Sequence, residues 1–300
     1  MSKTAKWLIA IFAVLFLFFV FVFFIFYALL SSDDTEDVSY GSGGTIALIE
    51  LNEPIVSSEN IVRLFKRYRQ NIGVRAIVFR IESPGGGVAA SQEIYEEVKK
   101  TRKSGKPIVV SMGAVAASGG YYVACGANKI VANPGSITGS IGVISQFMNV
   151  NDLLDKIGVS STTIKSGKLK DSGSPFRKMT AEDKKYFQEM VDDVYDQFVS
   201  VVAEERNLQK NVVKKLADGR VFTGRKAYEL SLIDTLGTYE DAIRIAADLA
   251  GITGKPRVIK EKKKEKLSDM LFGEVRNEFA RLKDEVLNQP IVQYRYVQPQ

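Results

Sequence analysis

The stretch Gly113–Val143, GAVAASGGYYVACGANKIVANPGSITGSIGV, decides how this chain is read. It is dense in glycine, alanine and serine, and it follows an apolar run, Ile108 to Met112, with the character of a buried strand. A helix opens at Ser118, so that serine stands at a strand-to-helix turn with its hydroxyl beside unpaired amide donors. That is where a nucleophile would sit. The chain contains no histidine, which excludes a Ser-His-Asp triad, so any base for Ser118 must be another residue type.

Working outward, strands and helices alternate. Thr45–Leu51 reads as a strand and Ser57–Gln70 as an amphipathic helix with Ile61, Val62, Leu64, Phe65 and Tyr68 on one face. Ala76–Ile81 is a second strand, followed at once by Glu82-Ser83-Pro84-Gly85-Gly86-Gly87 and a helix from Ala89 to Lys103. Ile108–Met112, the Ser118 helix and a short strand Lys129–Ala132 continue the alternation. This is the pattern of an α/β domain with a largely parallel sheet. Ligands of such sheets gather at the carboxyl ends of strands, and both glycine-rich turns, Ser83–Gly87 and Gly113–Gly120, lie there.

Further along, the sequence predicts a helix at Asn151–Ile157, a strand near Ser161–Lys165 and the loop Ser166-Gly167-Lys168-Leu169-Lys170-Asp171. Thr180 with Asp183 resembles a capping box opening a long helix to Glu205. Shorter helices follow near Asn211–Ala217, Gly224–Leu230 and Tyr239–Ala250. Lys260–Lys266 is a charge run, and Leu271, Val275, Phe279, Leu282 and Val286 recur at helical spacing after it. Four segments result: residues 1–30, a tether at 31–44, a catalytic domain at 45–254 and a basic, partly helical tail at 255–300.

Leu8 to Leu30 is apolar and uncharged, and at ~1.5 Å per residue it spans roughly 34 Å, enough to cross a bilayer. Lys3 and Lys6 precede it while Asp33, Asp34, Glu36 and Asp37 follow, so the N-terminus is expected in the cytoplasm and the rest outside. A cleaved signal peptide is the competing reading. The net charge of +6 suits an anionic membrane surface as well as nucleic acid. With one cysteine, Cys125, and no histidine, neither an internal disulfide nor a zinc site is expected, and no cofactor is implied.

Without histidine, a serine can be activated by a neutral lysine. Burial must then lower the amine's pKa from ~10.4 towards ~7–8, which costs the fold roughly 3–5 kcal/mol. Hydroxyls that orient the amine are the expected companions. Ser140 in Thr138-Gly139-Ser140-Ile141-Gly142 is the best placed, with Ser136 and Thr138 behind it. Lys165, Lys168 and Lys170 share one loop, and spacing does not choose among them. Oxyanion donors are expected from the Gly119 amide and from the glycine turn holding Gly85 and Gly86, because glycine lets a backbone approach a substrate closely. The elbow G-x-S-x-G is not met, since Ala116 holds its first position. S-x-x-K and P-loop patterns are absent from the sequence. Taken singly, Ser118 could be a helix cap, Ser140 a loop serine and Lys170 a solvated charge; their conjunction argues otherwise.

Four motifs in order, Ser83-Pro84-Gly85-Gly86-Gly87, Ala116 to Tyr122, Thr138 to Val143 and Lys165-Ser166-Gly167 with Lys170-Asp171, resemble the bacterial signal peptide peptidase A family of membrane-bound serine proteases. The resemblance covers Thr45 to Ala250. It implies a Clp-protease or crotonase-like α/β fold and a Ser-Lys dyad acting on hydrophobic peptides such as cleaved signal peptides. Ser118 would be the nucleophile, Lys170 the general base and Ser140 the hydroxyl holding that lysine. Lys168, two positions from the base, departs from the family pattern. The resemblance further implies a membrane-tethered homo-oligomer, an octamer, in which neighbouring subunits complete each site, with no role for nucleic acid. Two alternatives are a crotonase-type acyl-CoA enzyme and an inactive membrane scaffold whose basic C-terminal helix recruits partners.

Overall fold

The computed structural model describes residues 7, 12–23, 35–39, 41–262 and 293–295. Two compact units are distinguished, residues 1–36 with 261–263, and residues 37–260 with 264–300. In the first, residues 12–23 are helical and their apolar side chains are exposed, Phe12, Phe16 and Phe19 among them. No helix among the described residues is long and apolar enough to cross a membrane. The span expected over residues 8–30 lies partly outside the described residues, and the helix expected over 267–287 lies wholly outside them.

The larger unit is built on a mostly parallel sheet. Its central strands are β2 (Thr45–Leu51), β3 (Val74–Ser83), β5 (Ile108–Ala117) and β6 (Lys129–Ala132). Adjacent strands run β10-β2-β3-β5-β6-β9, with β10 at Arg257–Glu261, β9 at Thr235–Leu236 and β1 (Thr35–Ser39) beyond β10. Registers are set by apolar pairs such as Ile49↔Phe79, Ile81↔Met112 and Val110↔Ile130. These strands are mostly apolar because both sides are covered. Ile49, Ile77, Phe79, Ile81, Val110 and Met112 face one core, and Ile46, Leu48, Ala76, Val78, Val109 and Val131 face the other. This is the period-2 alternation of a strand.

Helices supply both covers. On the first side lie α1 (Glu59–Gln70) with Leu64, Phe65 and Tyr68, α2 (Val88–Lys103) with Ile94 and Val98, and the long helix Ala181–Glu205 with Phe198 and Val202. Tyr239–Leu249 covers the second side through Ala242, Ile243 and Ala246. Both of the last two helices open on complete capping boxes, Thr180 with Asp183 and Thr238 with Asp241. The remaining elements, numbered in chain order, are β4 (Gly85–Gly87), α3 (Gly119–Ala124), β7 (Ile137–Gly139), α4 (Asn151–Lys156), α5 (Ala181–Glu205), α6 (Lys210–Leu216), β8 (Val221–Thr223), α7 (Gly224–Glu229), α8 (Tyr239–Leu249) and β11 (Gln293–Arg295).

Two sequence expectations change. The run Ser161–Lys165 forms no strand and is exposed throughout. Thr162, Thr163 and Ile164 favour extended backbone, but no neighbouring strand pairs with them, and an isolated strand is not stable. Conversely, Arg257–Glu261, at the edge of the basic run, adds a strand parallel to β2, burying Val258 and Ile259 while its charged residues stay near solvent.

Candidate active site

The site begins with a fault in β5. Ile81 pairs with Met112, but the next pair is Ser83 with Ala116, so β5 carries two residues more than β3 over this interval. The side chain of Glu82 satisfies the displaced backbone, accepting from the amides of Ala114 at 2.9 Å and Val115 at 3.1 Å. A Cβ at position 113 would lie 1.6 Å from Glu82 Oε2, so any side chain there would push the carboxylate off these amides. The bulge re-aims the strand. Before it β5 pairs with β6; after it Val115, Ala116 and Ala117 pair with Ile137, Thr138 and Gly139 of β7.

Ser118 stands at the end of that redirected strand. Its backbone has φ 54° and ψ −117°, a region costly for a residue with a side chain. Its amide donates to Gly139 O at 2.8 Å and its carbonyl accepts from Tyr122 N at 2.8 Å. The residue is 1% exposed, and Oγ has no hydrogen-bond partner among the described residues. A buried hydroxyl without a partner costs about 1–3 kcal/mol. Strain and an unmade bond thus coincide at one serine, as they do where a side chain is held ready for a reaction.

Glycines let three backbone segments meet beside it. A Cβ on Gly85, whose φ is +97°, would lie 2.5 Å from Gly119 N, and a Cβ on Gly119 would lie 3.1 Å from Gly86 N and 2.7 Å from Ser91 Oγ. Gly85 N–H is turned to Ser83 Oγ at 3.2 Å. Ile55 bonds Gly85 O at 2.8 Å and accepts from Gly87 N at 2.7 Å, so the polar groups of Gly86 face the opposite side. The amides of Gly86 and Gly119 are therefore neighbours, while that of Gly85 is already engaged.

The pairing of β5 with β7 also brings Ser140 beside Ser118. Ser140 is buried, has φ 49° and donates its amide to Arg220 O at 2.9 Å. Ser136 and Thr138 are differently employed. Their hydroxyls donate to the β5 carbonyls of Gly113 at 2.6 Å and Ala116 at 2.7 Å, so they hold the bulged strand rather than an amine.

The lysine loop lies in an exposed arm. Residues 159–170 are all exposed, and no hydrogen bond joins Lys170 to Ser118 within the chain. The three lysines nonetheless differ. Lys165 donates to Asp171 Oδ1 at 2.6 Å, Lys168 is paired with Glu182, and Lys170 has no carboxylate partner among the described residues. Arg177 organises the loop, binding Asp171 through Nε and Nη2 at 3.0 and 2.9 Å and Asp183 through Nη1 and Nη2 at 2.5 and 3.1 Å. Ser172 Oγ also donates to Asp183 at 2.5 Å. The Arg177 guanidinium, with Lys165 for Asp171 and Ser172 for Asp183, holds both carboxyls well below the usual carboxylate range. Asp171, next in sequence to Lys170, is thus neutralised by two cations. No cluster of metal-binding side chains occurs among the described residues.

Sequence reasoning missed the end of the chain. β11 lies antiparallel on β4, pairing Gln293, Tyr294 and Arg295 with Gly87, Gly86 and Gly85. Three glycines offer no side-chain pattern from which such pairing could be read.

Comparison with known proteins adds an independent finding. Residues 100–253 match the model of peptidase family S49, and residues 54–138 match that of Clp protease. A Synechocystis sp. protein named as a protease is 51% identical over 177 residues, covering 59% of this chain and 64% of that protein. An Enterococcus faecium protein named as a signal peptide peptidase SppA is 44% identical over 185 residues, covering 62% and 54%. Protease 4 of Salmonella typhi is 38% identical over 218 residues, covering 70% and 35%. The chain thus spans less than two thirds of the length of each of these relatives.

Proposed function

The chain belongs to peptidase family S49, and on that premise we propose that it is a serine endopeptidase in which Ser118 attacks the peptide carbonyl and Lys170 removes its proton. The observation that carries this reading is the buried, strained and unpartnered Ser118 hydroxyl beside the Gly86 and Gly119 amides. Those two amides receive the oxyanion, each worth about 2.7–4 kcal/mol in acyl-transfer enzymes. The chemistry proceeds through an ester on Ser118, and the lysine returns its proton to the leaving amine.

Among three candidate lysines, Lys170 suits the role because no carboxylate holds its ammonium. Ser140 is the hydroxyl that orients it. The Lys170 arm carries exposed apolar side chains, Met148, Leu153, Ile157, Phe176 and Ile164 at 97% exposure. Such a surface suits burial against another copy, so Lys170 of one subunit serves Ser118 of the next in a ring, by family likeness an octamer. The exposed apolar helix of residues 12–23 and the wider run 8–30 support a single membrane pass with the N-terminus cytoplasmic and the peptidase outside. A protease tethered there meets hydrophobic peptides left in the membrane, cleaved signal peptides among them.

Mixing experiments test the shared site. Ser118→Ala and Lys170→Ala chains, each inactive alone on a fluorogenic peptide, regain activity when dissociated and reassembled together. Activity in either variant alone contradicts the assignment of that residue.

A further inference from the structure

Next to Lys170 stands a carboxylate that does not pair with it. Lys170 and Asp171 are adjacent, their Cα atoms about 3.8 Å apart, so a free carboxylate at 171 would be the nearest counter-ion for an ammonium at 170. The fold gives it other partners. Asp171 Oδ1 accepts from Lys165 Nζ at 2.6 Å and from Arg177 Nη2 at 2.9 Å, while Oδ2 accepts from Arg177 Nε at 3.0 Å. The Asp171 side chain is 11% exposed, whereas Lys170 is open to solvent.

The same guanidinium reaches the start of α5. Arg177 donates to Asp183 through Nη1 at 2.5 Å and Nη2 at 3.1 Å. That carboxylate also accepts from Ser172 Oγ, two residues after Lys170, and from the amide and hydroxyl of Thr180. Lys165, Arg177, Asp171 and Asp183 therefore form a quartet with no net charge. Consecutive turns, closed by Lys170 N to Gly167 O at 3.1 Å, Ser172 N to Leu169 O at 3.1 Å and Ser174 N to Asp171 O at 3.0 Å, carry Lys170 on it. Nearby, Lys168 pairs with Glu182 and Lys178 with Asp152. On the side of the nucleophile, the Glu82 carboxylate is taken by the amides of Ala114 and Val115, and Arg220, whose carbonyl accepts from Ser140, is held by Asp218.

Resting on the assignment of Lys170 as the base, we propose that this quartet sets the pH at which the peptidase becomes active, with Lys165 and Arg177 as positioning residues that withhold Asp171 from Lys170. The base accepts the Ser118 proton only when uncharged, and an unbalanced carboxylate beside it favours the ammonium. Hydrogen bonds from Arg177 first, then from Lys165 to Asp171 and Ser172 to Asp183, hold both carboxyls well below the usual range, so both are fixed negative charges where activity rises. Removing the charge of Lys165 leaves the quartet one negative charge in excess, which favours the ammonium and moves the acid limb of the pH profile to higher pH. Removing the charge of Asp171 leaves one positive charge in excess and moves that limb to lower pH.

The test uses the full-length chain assembled in detergent, with kcat/KM on a fluorogenic peptide and the rate of fluorophosphonate labelling of Ser118 each followed from about pH 6 to about pH 10. Lys165→Gln should shift the acid limb upward by about half to one pH unit and Asp171→Asn downward by a similar amount, a neighbouring charge's effect reduced by solvent screening. Plateau rates should stay within a few-fold of wild type, and the double variant should return the limb to its wild-type position. Loss of a merely structural contact lowers the plateau and leaves the limb where it was. Limbs that do not move, limbs that move in the same direction, or a single variant unreactive at every pH overturn this inference alone if Lys170→Ala is inactive. A Lys170→Ala chain with the wild-type rate overturns it together with the Ser-Lys reading.

Discussion

Replacing Gly85 by alanine isolates the contribution of the glycine strand to the site. The new Cβ would lie 2.2 Å from Tyr294 O, 2.5 Å from Gly119 N and 3.1 Å from Ala117 O, all backbone atoms that cannot rotate away. It occupies the space an oxyanion must enter to reach the Gly119 amide. Losing one such donor costs about 2.7–4 kcal/mol, so kcat is expected to fall about 10²–10³-fold. The backbone adds a separate cost, because φ is +97° and alanine in a left-handed region is disfavoured by roughly 1–2 kcal/mol. Gly105→Ala supplies the control. Its φ is +87° with nothing within 4 Å of the added carbon, so it bears the backbone cost without the crowding. Steady-state hydrolysis of a fluorogenic peptide, with thermal melts of both variants, separates the two effects. Both should melt a few degrees lower, at ~2–4 °C per kcal/mol for a domain of this size, and only Gly85→Ala should lose activity. Retention of more than about a tenth of wild-type kcat by Gly85→Ala, or equal activity loss in Gly105→Ala, would refute the reasoning.

Other perturbations follow from neighbouring residues. Ser118→Gly removes the unpartnered hydroxyl and relieves the φ of 54°, so it should abolish hydrolysis while raising the melting temperature by a few degrees; calorimetry showing a lower melt would contradict the strain argument. Lys170→Ala should lose at least 10³-fold in kcat while Lys168→Ala, which breaks only an exposed pair with Glu182, keeps most activity; the reverse ranking moves the base to Lys168. Arg177 lowers the pKa of Asp171 and Asp183, so the stability it confers is full above the unfolded carboxylate value of about 4 and is lost as pH falls below it. Urea midpoints of wild type and Arg177→Ala should therefore differ most at pH 7 and by less at pH 3, below the unfolded carboxylate value; a constant difference would disprove the linkage.

The frame of this protein is legible wherever one segment states its own structure. The capping box at Thr180 and Asp183 fixes the start of α5, and the apolar runs of β2, β3 and β5 announce strands buried on both faces. Ser118 is legible from its position after such a strand. Features set by a partner element are not. The bulge at Gly113 depends on Glu82 thirty-one residues earlier, and β4 and β11 recognise each other through backbone alone. Ser161–Lys165 has the composition of a strand and no neighbour to pair with. The choice among three lysines depends on which carboxylates reach them, and that appears only in three dimensions. Ser136 and Thr138, plausible as amine ligands by spacing, spend their hydroxyls on β5 carbonyls.

Reaction of the assembled protein with a fluorophosphonate, read by peptide mass mapping, tests the central claim most directly. One adduct on Ser118 is expected, absent from Ser118→Ala and strongly slowed in Lys170→Ala. A reagent that leaves Ser118 unmodified in a folded protein active on peptides, or that labels another serine instead, would contradict the account.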